Sequence, residues 1–255
     1  MAIYEVYKKL GETPLEALER ARREYGESAD APMTYAGRLD PVAEGLLLVL
    51  SGEDVHRKPE CAGLDKTYTL DVLWGIETDT YDLLGIPQKG TETVDPLESE
   101  SDRSLEYEKW IGEFEQEYPP YSAQPVHGKP LWRWAREKRL SEITMPTKQV
   151  VISSIKHAGD REITIDELLE TVRHRCSIVS GDFRQAEIGK AWEQLHDPSA
   201  EHFRKVFSVT RFEVSCSSGT YMRSLAHEMG KSLGPGACAY WIYRDRIGKY
   251  TAHEG

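Results

Sequence analysis

Asp40 sits between two glycines and beside a proline, in Tyr35-Ala36-Gly37-Arg38-Leu39-Asp40-Pro41-Val42-Ala43-Glu44-Gly45, just ahead of the apolar run Leu46–Leu50. Gly37 and Gly45 allow backbone angles other residues avoid, and Pro41 biases Asp40 toward an extended conformation, so one carboxylate is presented in a defined direction. An Asp-Pro turn is also ordinary loop chemistry, so the loop alone leaves both readings open. A second group of acids, Glu77, Asp79 and Asp82, lies in Gly75-Ile76-Glu77-Thr78-Asp79-Thr80-Tyr81-Asp82. Three carboxylates in six residues could hold a hard cation, although no His or Cys follows at ligand spacing; partnership with an arginine is the simpler alternative. That arginine is available. In Ser217-Ser218-Gly219-Thr220-Tyr221-Met222-Arg223 the chain turns into a helix with Arg223 in its first turn, where the helix dipole disfavours a cation. Broken local rules mark functional sites, and a buried arginine beside a carboxylate keeps it ionised and oriented.

The elements that must position these groups can be read from periodicity. Thr13-Pro14-Leu15-Glu16 carries a capping threonine, a first-turn proline and a capping glutamate, and opens a helix through Leu18, Ala21 and Tyr25 to Gly26. Lys66–Trp74 alternates, with Tyr68, Leu70, Val72 and Trp74 on one face and Thr67, Thr69 and Asp71 on the other, and is expected to be a strand. Ser104–Glu117 reads as an acidic helix stopped by Pro119-Pro120, and Leu131–Arg139 as a basic one. Val150–Ile155, Val206–Cys216 and Ala237–Ile247 read as strands, Thr164–Arg175 as a helix, and the segment after Thr220 as a helix to Leu233. With no internal repeat, these elements predict an α+β domain with a central, mostly antiparallel sheet flanked by helices.

Composition narrows the class. A chain of 255 residues, 39% hydrophobic and 29% charged, is long enough for one sizeable core, and its longest apolar run is strand-sized. No basic region precedes an apolar stretch at the N-terminus, which predicts a cytoplasmic protein with no membrane association. Cys61, Cys176, Cys216 and Cys238 form no Cys-x-x-Cys pair and are expected to be reduced. A net charge of −11 argues against diffuse binding to nucleic acid. The charge is uneven, however: Glu92–Glu117 is heavily acidic, whereas basic residues cluster at Arg133–Arg139, Arg173–Arg175, Arg204–Arg211 and Arg244–Lys249.

Five segments occur in a telling order: the Tyr35–Gly45 loop, Lys66-Thr67-Tyr68, Thr78-Asp79-Thr80-Tyr81-Asp82, Pro120-Tyr121-Ser122-Ala123 with Gly128-Lys129-Pro130-Leu131, and Cys216-Ser217-Ser218-Gly219-Thr220-Tyr221-Met222-Arg223. In this order and spacing the chain resembles the TruB-type tRNA pseudouridine-55 synthases from about Tyr7 to Tyr250. The resemblance implies the pseudouridine synthase fold, with an active-site cleft across the sheet, and cofactor-free, metal-free isomerisation of a tRNA T-loop uridine. It also implies that Asp40 is the catalytic aspartate, that Tyr68 stacks on the target base, and that Arg223 pairs with Asp40. Tyr221 and Asp82 would complete the polar network, Ile242 would line the uracil pocket, and Lys129 would contact the RNA. Tyr35 stands where the family carries a histidine, as a ring that can stack on substrate. Arg38-Leu39-Asp40 also resembles other pseudouridine synthase families, whose motif loop carries Arg-Leu-Asp. The chain would be a single catalytic domain over 1–255, ending too soon after Tyr250 for the C-terminal PUA domain of many relatives. It is expected to act as a monomer on the T-arm of tRNA with no obligate protein partner. Action on another RNA, or a tRNA-folding role in which catalysis is secondary, are the alternatives.

Overall fold

A computed structural model describes residues 2–88, 107–196, 205–234 and 236–252. Its centre is a nine-stranded sheet in the order β1 (Ala2–Lys8), β3 (Ala43–Ser51), β12 (Ala237–Ile247), β4 (Lys66–Trp74), β11 (Val206–Cys216), β10 (Thr147–Thr164) and β7 (Gly112–Glu117). Off this path, β2 (Met33–Ala36) pairs with β3 and β13 (Tyr250–Thr251) with β12. Every pairing in the sheet is antiparallel except β12 with β3, which run parallel at Ile242 opposite Ala43. Two small hairpins complete the strands: β5 (Glu77–Thr78) with β6 (Pro87–Gln88), and β8 (Pro125–Val126) with β9 (Lys129–Pro130). The expected α+β fold with a mostly antiparallel sheet is therefore the fold observed.

Alternation decides what each face of the sheet covers. On one face Tyr68, Leu70, Val72, Trp74, Phe212, Val214, Ala239 and Ile242 pack beneath helix α6 (Met222–Leu233), which contributes Met222, Leu225, Ala226 and Met229. Their neighbours on the other face, Leu73, Val209, Phe207 and Cys238, meet helices α4 (Ile165–Ile178) and α5 (Gln185–Glu193) around the fully buried Trp192. Helix α1 (Pro14–Glu24) begins at a full capping box, Thr13 accepting from Glu16 N and Glu16 accepting from Thr13 N, and packs Leu18 and Ala21 against β1 and β3. Thr164 and Glu167 repeat the box at α4. Short helices include α2 (Lys58–Gly63) and α3 (Leu131–Arg136).

One element differs from expectation. Gly112–Glu117 is a strand, pairing with Thr147–Ile152, rather than the end of an acidic helix; residues 104–106, and the acidic run from Glu92 up to them, lie outside the described residues. Gly-Glu-Phe-Glu-Gln-Glu has period two, so Phe114 and Gln116 point inward while Glu113, Glu115 and Glu117 are exposed on an edge strand that like charges protect from further pairing. The inward Gln116 matters for the site: its side chain accepts from Tyr221 N (2.8 Å) and donates to Tyr221 O (3.1 Å), holding the entry to α6.

Candidate active site

The Asp40 loop bridges β2 and β3, and buried cations clasp its backbone. Arg244, fully buried on β12, donates from Nε to Leu46 O (2.7 Å), from Nη1 to Arg38 O (3.1 Å) and from Nη2 to Gly37 O (3.3 Å). Lys8, equally buried on β1, donates to Ala43 O at 2.5 Å, and Gly11 N closes the loop onto Pro41 O at 2.8 Å. Burial pulls the Lys8 ammonium down to about 8 against the opposing pull of Asp40. Strand alternation puts Arg244 on the same face as Ile242, and Lys66 on the same face as Tyr68. Lys66 donates to Ala62 O (2.7 Å) and Leu64 O, and burial lowers its pKa to about 8. No site role was assigned to Arg244, Lys66 or Lys8 from the sequence, although Arg244 fell in a basic cluster and Lys66 opened the Lys66-Thr67-Tyr68 motif. For the first two, the period-two spacing from Ile242 and Tyr68 was the available signal; for Lys8 there was none.

Arg223 is the hub. Its Nε donates to Asp40 Oδ2 at 2.8 Å and its Nη2 lies 2.8 Å from the same oxygen. Its Nη1 donates to Thr80 O (2.9 Å) and lies 3.4 Å from Asp82 Oδ2. The two carboxylates differ in environment: 37% of the Asp40 side chain is open to solvent, against 4% of both Asp82 and Arg223. Burial pushes the Asp82 carboxyl up, partly offset by Arg223 and by the Thr80 hydroxyl, which donates to Asp82 Oδ1 at 2.7 Å. Asp82 is thus a structural partner, and Asp40 is the one carboxylate of the pair that an incoming molecule can reach.

A cleft of about 820 Å³ opens over this pair, with Tyr68, Ile242, Leu39 and Met222 supplying an apolar floor. Tyr68 is 6% exposed and Ile242 4%. Tyr221 caps the cleft beside Asp40; burial, with the Asp40 charge, pushes its phenol up to about 12, so it remains a proton donor through neutral pH. A second wall comes from Tyr121, Ser122 and Trp132, with Arg184 4.4 Å over the Tyr121 ring and paired to Asp79 at 2.7 Å. Among the described residues no group of three or more His, Cys, Asp or Glu is arranged to hold a metal ion.

Six of the eight residues singled out by sequence, Asp40, Tyr68, Asp82, Tyr221, Arg223 and Ile242, meet in this cleft. Tyr35 and Lys129 do not line it. Tyr35 packs with the Val6, Leu18 and Leu47 cluster, under Lys58 Nζ at 5.5 Å, because the strand preceding the Gly37 turn directs it to the opposite face. Lys129 pairs with Glu137 and lies 4.2 Å from the Trp134 ring, while Trp132 and Arg136 of the same hairpin and helix reach the cleft instead.

A family model described as the N-terminal domain of TruB family pseudouridylate synthases matches residues 29–177. A tRNA pseudouridine synthase B from Nitratidesulfovibrio vulgaris (strain DSM 19637 / Miyazaki F) is 33% identical over 251 residues, covering 97% of this chain and 64% of that protein. One from Bordetella avium is 31% identical over 246 residues, covering 96% and 80%. The chain thus spans 64% of the length of the first relative and 80% of the second. Among solved structures, a Cbf5–Nop10–Gar1 complex superposes with a TM-score of 0.58 at 16% identity, over 98% of this chain and 49% of that one. An H/ACA RNP bound to a substrate RNA containing 2′-deoxyuridine gives 0.54 at 15%, over 98% and 48%. At those identities the likeness is one of fold.

Proposed function

The chain belongs to the TruB family of pseudouridylate synthases, and on that premise we propose that it isomerises uridine 55 in the T-loop of tRNA to pseudouridine, without metal or cofactor. The observation that carries the reading is the Asp40–Arg223 pair at 2.8 Å, with its carboxylate open to a cleft floored by Tyr68 and Ile242. The reaction breaks the N1–C1′ bond, turns the uracil, and joins C5 to C1′. The proton on C5 is lost and N1 gains one, so no electron is gained or lost overall.

Those steps match the residue types. Arg223 holds the Asp40 carboxylate aimed into the cleft, either as nucleophile at C1′ or as base at C2′ in a glycal route. The target must leave the folded T-loop to reach a carboxylate at the bottom of a cleft, which costs roughly a few kcal/mol. Stacking on Tyr68 returns about 1–3 kcal/mol of that cost. Ile242 and Leu39 give the detached uracil an apolar surface on which to turn, and the Tyr221 hydroxyl supplies a hydrogen-bond donor beside it. The tRNA is engaged through its T-arm by one copy of the chain, in the cytoplasm.

Tritium release tests this reading. With tRNA transcribed from [5-³H]uridine, wild type is expected to release one equivalent of tritium per tRNA; release reaching no fraction of an equivalent with tRNA, but proceeding with another RNA, would move the substrate assignment and leave the chemistry.

A further inference from the structure

Two of Arg223's four contacts come from a turn in a costly conformation. Tyr81, between Thr80 and Asp82, has a φ of +66°, a region that a bulky side chain rarely occupies. Its neighbours are the two groups Arg223 Nη1 approaches, Thr80 O at 2.9 Å and Asp82 Oδ2 at 3.4 Å. Something must hold that turn against α6. The Tyr81 backbone accepts from Ala239 N at 2.9 Å, which ties it to β12 but not to the helix. Besides the Arg223 contacts themselves, the tie to the helix is a ring stack: His227, one turn beyond Arg223 on α6, lies with its centroid 3.7 Å from that of Tyr81 and an interplanar angle of 11°. His227 is 6% exposed, and its Nδ1 is buried without a hydrogen-bond partner among the described residues.

A buried, unpartnered ring nitrogen is a cost that a leucine or phenylalanine would avoid, so a role that polar bonding does not explain is called for. We propose that His227 is a positioning residue: its stack on Tyr81 clamps the Thr80–Asp82 turn to α6 and thereby fixes the direction in which Arg223 holds Asp40. The clamp spans one helical turn, so the guanidinium and the ring that secures its other acceptors move as one body. Burial drives the imidazole down to about 4, with the Lys231 charge contributing, and a neutral ring places no second cation beside Arg223. Burial, with the charges of Glu117, Glu228 and Glu77, pushes the Tyr81 phenol up, so the other ring of the stack is neutral as well.

The inference rests on the proposed isomerisation for its kinetic test. His227→Ala is expected to lower kcat by about tenfold to a hundredfold, since small misplacements of a reacting group cost that much, and to leave KM within about threefold. His227→Phe, which keeps a ring and no charge, is expected to retain kcat within about threefold. Tyr81→Ala should match His227→Ala, and the double variant should be no slower than either single one, because both remove one contact. Wild-type kcat in His227→Ala, or a loss in His227→Phe as large as in His227→Ala, would overturn the proposal. A second measurement does not depend on the substrate. The Arg223 Nε–H resonance, shifted by its bond to Asp40, should move toward the free-arginine position in His227→Ala and stay in place in His227→Phe. If wild type leaves tRNA unmodified, the isomerisation reading fails while this comparison still decides the clamp; an unmoved resonance in His227→Ala overturns the clamp alone.

Discussion

Arg223 answers to two carboxylates, and removing it strands both. Asp82 suffers more, because it is buried and its remaining partners are a hydroxyl and the amide of Leu84 at 2.9 Å. Arg223→Ala is therefore expected to destabilise the protein by about 3–5 kcal/mol, the cost of an uncompensated buried charge, as read by urea unfolding. Asp40→Asn should leave stability within about 1 kcal/mol, since a third or more of that side chain is solvated. Arg223→Lys cannot reproduce three directed donors and should lose most turnover while folding. A loss of stability in Asp40→Asn larger than in Arg223→Ala would reverse the assignment of structural and reactive carboxylate. The rule broken by a cation in a helix's first turn made Arg223 legible in the sequence. The proximity of Asp40 to Arg223 across 183 residues was not written in either segment; it came from the ordered motifs together. That Asp82 rather than Asp79 faces Arg223 likewise came only from the resemblance, because locally it turns on the positive φ at Tyr81.

Among the elements, the crossing of β3 and β12 carries the most constraint. Gly45 (φ +107°) lies against Arg244, and a Cβ built there would come within 2.5 Å of Arg244 O, so no side chain fits without separating the two strands. Gly45→Ala is expected to cost several kcal/mol, on the order of a severe backbone clash, and to abolish turnover, because the displaced strand carries Arg244 away from the Asp40 loop. A folded, active Gly45→Ala would show that the loop is held from elsewhere. Helix α6 carries a pH dependence of its own. Burial and the Glu117 charge push Glu228 up to about 7, above the ordinary glutamate value near 4.5. Stability from that group is fully present below about 4.5 and is lost as pH rises through about 7. Glu228→Gln should accordingly raise Tm more at pH 8 than at pH 5; an equal rise at both would mean that the carboxyl is not perturbed. The strand pattern of Lys66–Trp74 and the capping box at Thr13 were legible because period and capping are local. Gly112–Glu117 misled because three acids and one phenylalanine suit a solvated helix face as well as an edge strand, and only the pairing with β10 distinguishes them.

At the scale of the molecule, a net charge of −11 must be reconciled with the polyanionic substrate proposed for it. Local placement does so: Arg38, Arg136, Lys148 and Arg184 line the cleft, and among the described residues neither Arg38 nor Lys148 is paired with a carboxylate. tRNA affinity should fall steeply with salt, and Arg38→Ala should shallow the slope of log K against log[salt] by about one, the signature of one lost phosphate contact. An unchanged slope would place Arg38 away from the RNA backbone. The order of elements made the α+β class legible, but composition did not show the cleft's local sign of charge, because these four cations arrive from four separate segments of the chain. The central claim is that Asp40, aimed by Arg223, performs the isomerisation, and one experiment addresses it. Unmodified tRNA transcript is incubated in chelator with wild-type protein or Asp40→Asn, and pseudouridine is mapped by carbodiimide treatment and primer extension. The account predicts a single T-loop stop with wild type and none with Asp40→Asn. A stop of equal strength with both proteins would contradict it.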